Sequence, residues 1–173
     1  KGYMTLSSGT YNSSITNYGN LTVDGGNYKN TIYNENQLVI NDISMETSSN
    51  AIRLTRYSST KILGGNILSN NGSGIYAVNY ESAHTTPSSE EVSSKDILVV
   101  LGSDDGVIKS EPHIIGSSYG ISKASYSYGD MILKFYDGII EGITAIDSNI
   151  VISDIAPDNE ILTTNGDNVE ITT

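Results

Sequence analysis

The chain has 173 residues and a formal net charge of −11, from 9 basic against 20 acidic side chains, with no cysteine or tryptophan but 12 tyrosines and 17 glycines. That length supports one continuous core, and the missing cysteines exclude disulfides, thiolate metal sites and cysteine nucleophiles. Sparse cations, with arginine only at positions 53 and 56, argue against a nucleic-acid surface, and no apolar run approaches the roughly 18 residues that cross a bilayer.

The chain opens Lys1-Gly2-Tyr3, which reads as a piece of a longer protein. No window keeps a helical 3.6-residue period. Short β-branched runs follow one another instead: Leu21–Val23, Leu38–Ile40, Lys61–Leu63, Ile97–Val100, Met131–Phe135 and Ile150–Ile152. These are predicted strands. Between them recurs a small residue followed by isoleucine, at Thr31-Ile32, Ala51-Ile52, Gly74-Ile75, Gly120-Ile121 and Ala145-Ile146. The isoleucine numbers advance by 20, 23, 46 and 25 (52−32, 75−52, 121−75, 146−121). A glycine corner and a second apolar run often follow each strand, as in Asp24-Gly25-Gly26-Asn27-Tyr28 and Tyr136-Asp137-Gly138-Ile139-Ile140.

Self-similarity at roughly 20–25 residues marks a solenoid. The Leu-x-x-Leu-x-Leu frame of a leucine-rich repeat, with its asparagine ladder, is not found. A sandwich would not place one residue class at one phase of every turn. The expected fold is therefore all-β: a parallel β-helix with two or three strands per turn, isoleucine stacked on isoleucine, and glycine at corners where positive φ costs it little. The preference of parallel crossovers predicts a right-handed coil. Residues 1–173 are expected to form a single such segment.

One turn is too long. Residues 75–120 occupy nearly twice the usual period, which implies two insertions, near 81–94 and near 103–112. Insertions in a solenoid project as loops and often carry function. Glu81, His84, Glu90, Glu91, Asp104 and Asp105 fall in these two segments as candidate binding residues, and their carboxylates, with that of Glu111, would make the contact surface acidic. Tyr119, Tyr126 and Tyr128 form a tyrosine group just beyond. Tyrosine offers rigid amphipathic contact area, although cross-strand packing explains it equally.

Enzyme chemistry finds little support. Asp104-Asp105-Gly106 reads as a solvated turn. Buried neighbours turn Arg53 outward, but a base there would need acidic partners on adjacent turns. His84 and His113 lack metal-ligand spacing. Turn aspartates offer oxygen ligands, yet neither an EF-hand loop nor a glycine-rich calcium repeat exists, so no metal and no cofactor is expected.

Ile15-Thr-Asn-Tyr-Gly-Asn-Leu-Thr-Val-Asp-Gly-Gly26, Gly74-Ile-Tyr-Ala-Val78 and Ile114-Ile-Gly-Ser-Ser-Tyr-Gly-Ile121 resemble a known type of repeat. They are similar to the β-solenoid regions of large surface proteins, adhesins of the pectin-lyase-like parallel β-helix type, from Gram-positive commensal bacteria. The resemblance implies an extracellular protein, secreted or attached to the cell wall, and brings no catalytic residues with it. The functional expectation is a monomeric, non-catalytic binding or adhesion module for a host surface or secreted protein, such as mucin or immunoglobulin, or for a glycan. A polysaccharide lyase or glycoside hydrolase on the same scaffold, and a purely structural stalk, are the alternatives.

Overall fold

The computed structural model describes residues 2–78, 96–104, 111–125 and 129–154 in full, and residues 155, 161–165 and 168–172 as backbone. Three parallel sheets wrap one core, each successive turn of chain adding one strand to each sheet. Sheet A contains Tyr3–Leu6, Asn20–Val23, Gln37–Ile40, Ser59–Ile62, Ile97–Leu101, Met131–Phe135 and Val151–Ile155. Sheet B runs through Thr10–Tyr11, Asn27–Tyr28, Ser44–Thr47, Asn66–Ser69, His113–Gly116 and Gly138–Glu141. Sheet C holds Ile15–Asn17, Ile32–Asn34, Ile52–Leu54, Ser73–Ala77, Tyr119–Lys123 and Thr144–Ile146. The chain is an all-β parallel β-helix, and all six predicted strands lie in sheet A.

Register puts like over like. In sheet C, Ile15, Ile32, Ile52, Ile75, Ile121 and Ile146 pair in sequence as one column. The four middle members are fully buried. Sheet A contributes Leu6, Val23, Ile40, Ile62, Leu101 and Phe135. Sheet B adds Tyr11, Tyr28, Met45, Ile67, Ile114 and Ile140. Burying an aliphatic side chain contributes about 1.5–3 kcal/mol. The small residue ahead of each isoleucine has a steric cause. A Cβ on Gly120 would lie 2.3 Å from Ile140 Cγ2 and 2.7 Å from the Ala145 carbonyl. The sheet B column presses against the B–C corner and leaves no room for a larger side chain.

The first two turns are tighter than expected: from Ile15 to Ile32 and from Asn20 to Gln37 the numbering advances by only 17 (32−15, 37−20). Their compactness depends on an asparagine stack. Asn17 and Asn34 are buried in sheet C register, and Asn17 Nδ2 donates to Asn34 Oδ1 at 2.8 Å and to the Gln37 carbonyl at 2.7 Å. Asn34 Nδ2 donates in turn to Thr60 Oγ1 and the Ser59 carbonyl, both at 3.0 Å. Each carboxamide oxygen also accepts the backbone N–H two residues on, of Gly19 and of Asn36. This corrects the reading that the chain has no asparagine ladder. The ladder exists at the interval of the tight turns, without the leucine frame that usually announces it.

The long turn is one turn. Ile75 pairs directly with Ile121 across adjacent strands, and Ile97–Leu101 and His113–Gly116 supply the other two sheets in between. Among the described residues no additional short turn intervenes. At the C-terminal side the pattern changes: Asn168–Thr172 pairs antiparallel with both Gly138–Glu141 and Ile161–Asn165. An antiparallel hairpin therefore closes sheet B, where the sequence reading expected the β-helix to continue.

Two substitutions test this packing. Asn34→Ala removes the acceptor of Asn17 Nδ2 and of the Asn36 N–H. It should cost about 2 kcal/mol, since buried donors lose their partners. Gly120→Ala should cost about 1–3 kcal/mol by overpacking. Thermal unfolding followed by circular dichroism reads both. An unchanged midpoint for either variant contradicts the corresponding contact.

Candidate functional site

Length variation concentrates at the corner joining sheet C to sheet A. It bridges Asn17 to Asn20, then Leu54 to Ser59, then Ala77 to Ile97, then Lys123 to Met131. The other two corners keep nearly constant length except where Leu101 joins His113. The anchors of the two longest C–A connections are adjacent: Ala77 pairs with Lys123, and Ile97 with Met131. Glu81, His84, Glu90 and Glu91 lie in the first of these connections, Tyr126 and Tyr128 in the second. All six, together with Asp105, fall outside the described residues. The described anchors of the two connections are thus neighbours at one edge of the solenoid, a link that the linear spacing does not reveal.

Asp104 is described and exposed, and it belongs elsewhere. With Lys61, Val100, Ser103, Lys134 and Tyr136 it lines a small recess of about 130 Å³ on sheet A. Tyr119 is 37% exposed and lies on the sheet C side. The fold therefore separates Asp104 from Tyr119. Tyr136, which follows that group in sequence, is buried, with its hydroxyl donating to Asp154 Oδ2 at 2.7 Å. Tyr11 and Tyr28 stack with ring centroids 4.6 Å apart, so these tyrosines are cross-strand packers.

The outward face of sheet C is different. Its central column reads Thr16, Tyr33, Arg53, Tyr76 and Ser122, in register. Alternation with buried Ile52 and Leu54 turns Arg53 outward, as expected. Its guanidinium carbon lies 5.4 Å from the Tyr33 ring centroid and 5.9 Å from that of Tyr76. Such a pair of cation–π contacts contributes roughly 0.5–1 kcal/mol each at a partly exposed site. The acidic partners that a catalytic Arg53 would need are not in this column; tyrosine occupies both neighbouring turns.

Tyr76 also forms one wall of a groove of about 470 Å³, lined further by Tyr119, Asn50, Ser73, Lys123 and Asp147. Two aromatic rings and several amide and hydroxyl groups thus border one concavity beside the C–A edge. Its charged groups are held in place from within. Lys123 Nζ donates to the Gly129 carbonyl at 3.0 Å, and Asp147 accepts from the Asn149 backbone and side-chain nitrogens at 3.0 and 2.9 Å. Sequence reasoning misses the Tyr33–Arg53–Tyr76 stripe. The first two intervals between the preceding isoleucines, applied one residue on, would find it.

The remaining titratable groups serve turns and strands. Asp42 Oδ1 accepts the Ile43 N–H at 3.0 Å, and Asp24 accepts from Asn41. His113 opens its sheet B strand with Nε2 3.3 Å from Glu141 Oε1, aligned too poorly for a hydrogen bond. Among the described residues, no three His, Asp or Glu side chains converge as a metal site would require.

Asp137 is the exception in burial. It is 4% exposed, and its Oδ2 has no hydrogen-bond partner. Burial pushes its carboxyl above the ordinary 3.8, against a lowering by the Gly138 N–H, while the Glu111 charge adds to the rise. The folded state therefore favours the protonated acid. Stability from this group is present below the ordinary carboxylate value and is lost as pH rises through the raised one. Asp137→Asn should consequently be more stable than the parent at pH 7, with the difference vanishing near pH 3. Melting curves at both pH values decide it, and a variant that is less stable at pH 7 contradicts the burial argument. Comparison with known proteins yields no matching family model, no matching curated protein and no matching solved structure.

Proposed function

We propose that this chain is a non-catalytic binding module of a bacterial surface protein, and that sheet C with its C–A edge is the face that meets a glycan. The observation that carries this reading is the groove between Tyr76 and Tyr119, continuous through Tyr76 with the Arg53 stripe. Aromatic rings at the rim of a polar concavity suit saccharides, which present C–H faces to stack on rings and hydroxyls to bond with amides and hydroxyls. Parallel turns give the face rigidity, so little ordering entropy is lost on binding. An extracellular location, secreted or wall-attached, accords with the surface-protein repeats that the sequence resembles. The glycan of a mucin-type host glycoprotein is the partner this face fits better than a flat protein epitope.

The test is a glycan array probed with the labelled chain, followed by calorimetry on the hits. Tyr119→Ala should weaken binding about tenfold, or about 1.4 kcal/mol, while leaving the melting temperature nearly unchanged, because that ring is exposed. A chain that retains no glycan, or a Tyr119→Ala variant that binds as tightly as the parent, rejects this face. Release of new reducing ends from a bound polysaccharide would instead establish the enzyme alternative.

A further inference from the structure

We infer that the saccharide is acidic, and that Arg53 reads its carboxylate; this rests on the glycan-binding reading of sheet C. The chain holds more than twice as many acidic as basic side chains, 20 against 9. An arginine in such a chain has carboxylates in plentiful supply. Arg53 nonetheless has no ion pair among the described residues, and its Nε is buried without a hydrogen-bond partner. The column that holds it supplies hydroxyl and aromatic groups only, through Thr16, Tyr33, Tyr76 and Ser122. The one carboxylate of the adjoining groove, Asp147, already accepts bonds from Asn149.

The two tyrosine rings do for Arg53 what an ion pair would otherwise do. They hold the guanidinium in place, 5.4 and 5.9 Å from their centroids, without neutralising it. A guanidinium is charged at every physiological pH, and its planar fork matches a carboxylate in two parallel hydrogen bonds. Because the side chain is already confined between rings, engaging a ligand costs it little rotamer entropy. The other nearby cation cannot play this part, since Lys123 is tied to the Gly129 carbonyl and lies 3.9 Å from Asp130 Oδ1. The geometry thus provides one fixed positive charge, uncompensated among the described residues, next to a tyrosine-walled groove, on a protein whose overall charge repels anions. Selectivity for an acidic sugar then depends on that single residue, and should weaken with salt.

The probe pair is a set of hyaluronan oligosaccharides and the same oligosaccharides with their carboxyls methyl-esterified. The parent chain should bind the free acids at least tenfold more tightly than the esters, and 0.5 M salt should remove most of that difference. Arg53→Gln should bind acid and ester alike, at the level of the ester on the parent. Circular dichroism confirms that the variant is folded; should it not be, the acid-to-ester ratio and its salt dependence on the parent still decide. A ratio near one on the parent overturns the inference, and so does a tenfold ratio that Arg53→Gln leaves intact. Binding of neutral glycans with no preference for acids would overturn the acidic ligand alone, whereas retention of no glycan at all overturns the glycan-binding reading as well.

Discussion

Everything in this molecule follows from stacking one turn of chain on the next at the inter-strand distance of about 4.8 Å. At that spacing a side chain has the equivalent side chain of the next turn as its nearest neighbour, so each column must be made of residues that tolerate their own kind. Isoleucine does so by burying apolar surface, as from Ile32 through Ile121. Asparagine does so because its carboxamide both donates and accepts, as between Asn17 and Asn34. Tyrosine does so by stacking, as between Tyr11 and Tyr28. Charged residues do not, and the one arginine in a central column is flanked on both sides by rings.

That constraint also explains what the sequence makes legible. The strands of sheet A are continuous β-branched runs, so composition alone finds them. The sheet C column is found through its small-residue partner, which marks the point where sheet B crowds the corner at Gly120. The series in fact begins one member earlier, at Ser14-Ile15, and a period read only from the later members misses the tighter opening turns. The asparagine stack is hidden for a different reason. Single asparagines are common in this chain, and only the pairing of Ile15-Thr-Asn with Ile32-Tyr-Asn at the shorter interval distinguishes a buried ladder member from a turn residue.

The candidate site is less legible than the fold. The polar insertions and the local cluster of tyrosines are both defined along the chain, whereas the structure groups residues across turns. Tyr33, Arg53 and Tyr76 each sit a full turn apart in sequence yet are adjacent in space. Asp104 and Tyr119, close in sequence, lie on different sheets. In a solenoid the period is the contact distance, and a motif search that ignores the period cannot see a column.

The asparagine ladder and the variable edge are two sides of one arrangement. At the two tight corners the backbone cannot satisfy itself, and the carboxamide oxygens of Asn17 and Asn34 accept the N–H groups of Gly19 and Asn36. From the next turn on, Leu54 takes the asparagine's place in register, and the corner lengthens into Thr55–Ser58. That longer corner closes its own hydrogen bonds, from the Ser58 N–H and Oγ to the Thr55 carbonyl at 3.2 and 2.6 Å. A corner that satisfies its own backbone no longer needs a buried asparagine, and its length is then free to change. The longest connections emerge one and two turns further, between Ala77 and Ile97 and between Lys123 and Met131. The turns capped by asparagine are thus held to a fixed length, and those that have lost it can lengthen at this corner without disturbing the register of the core.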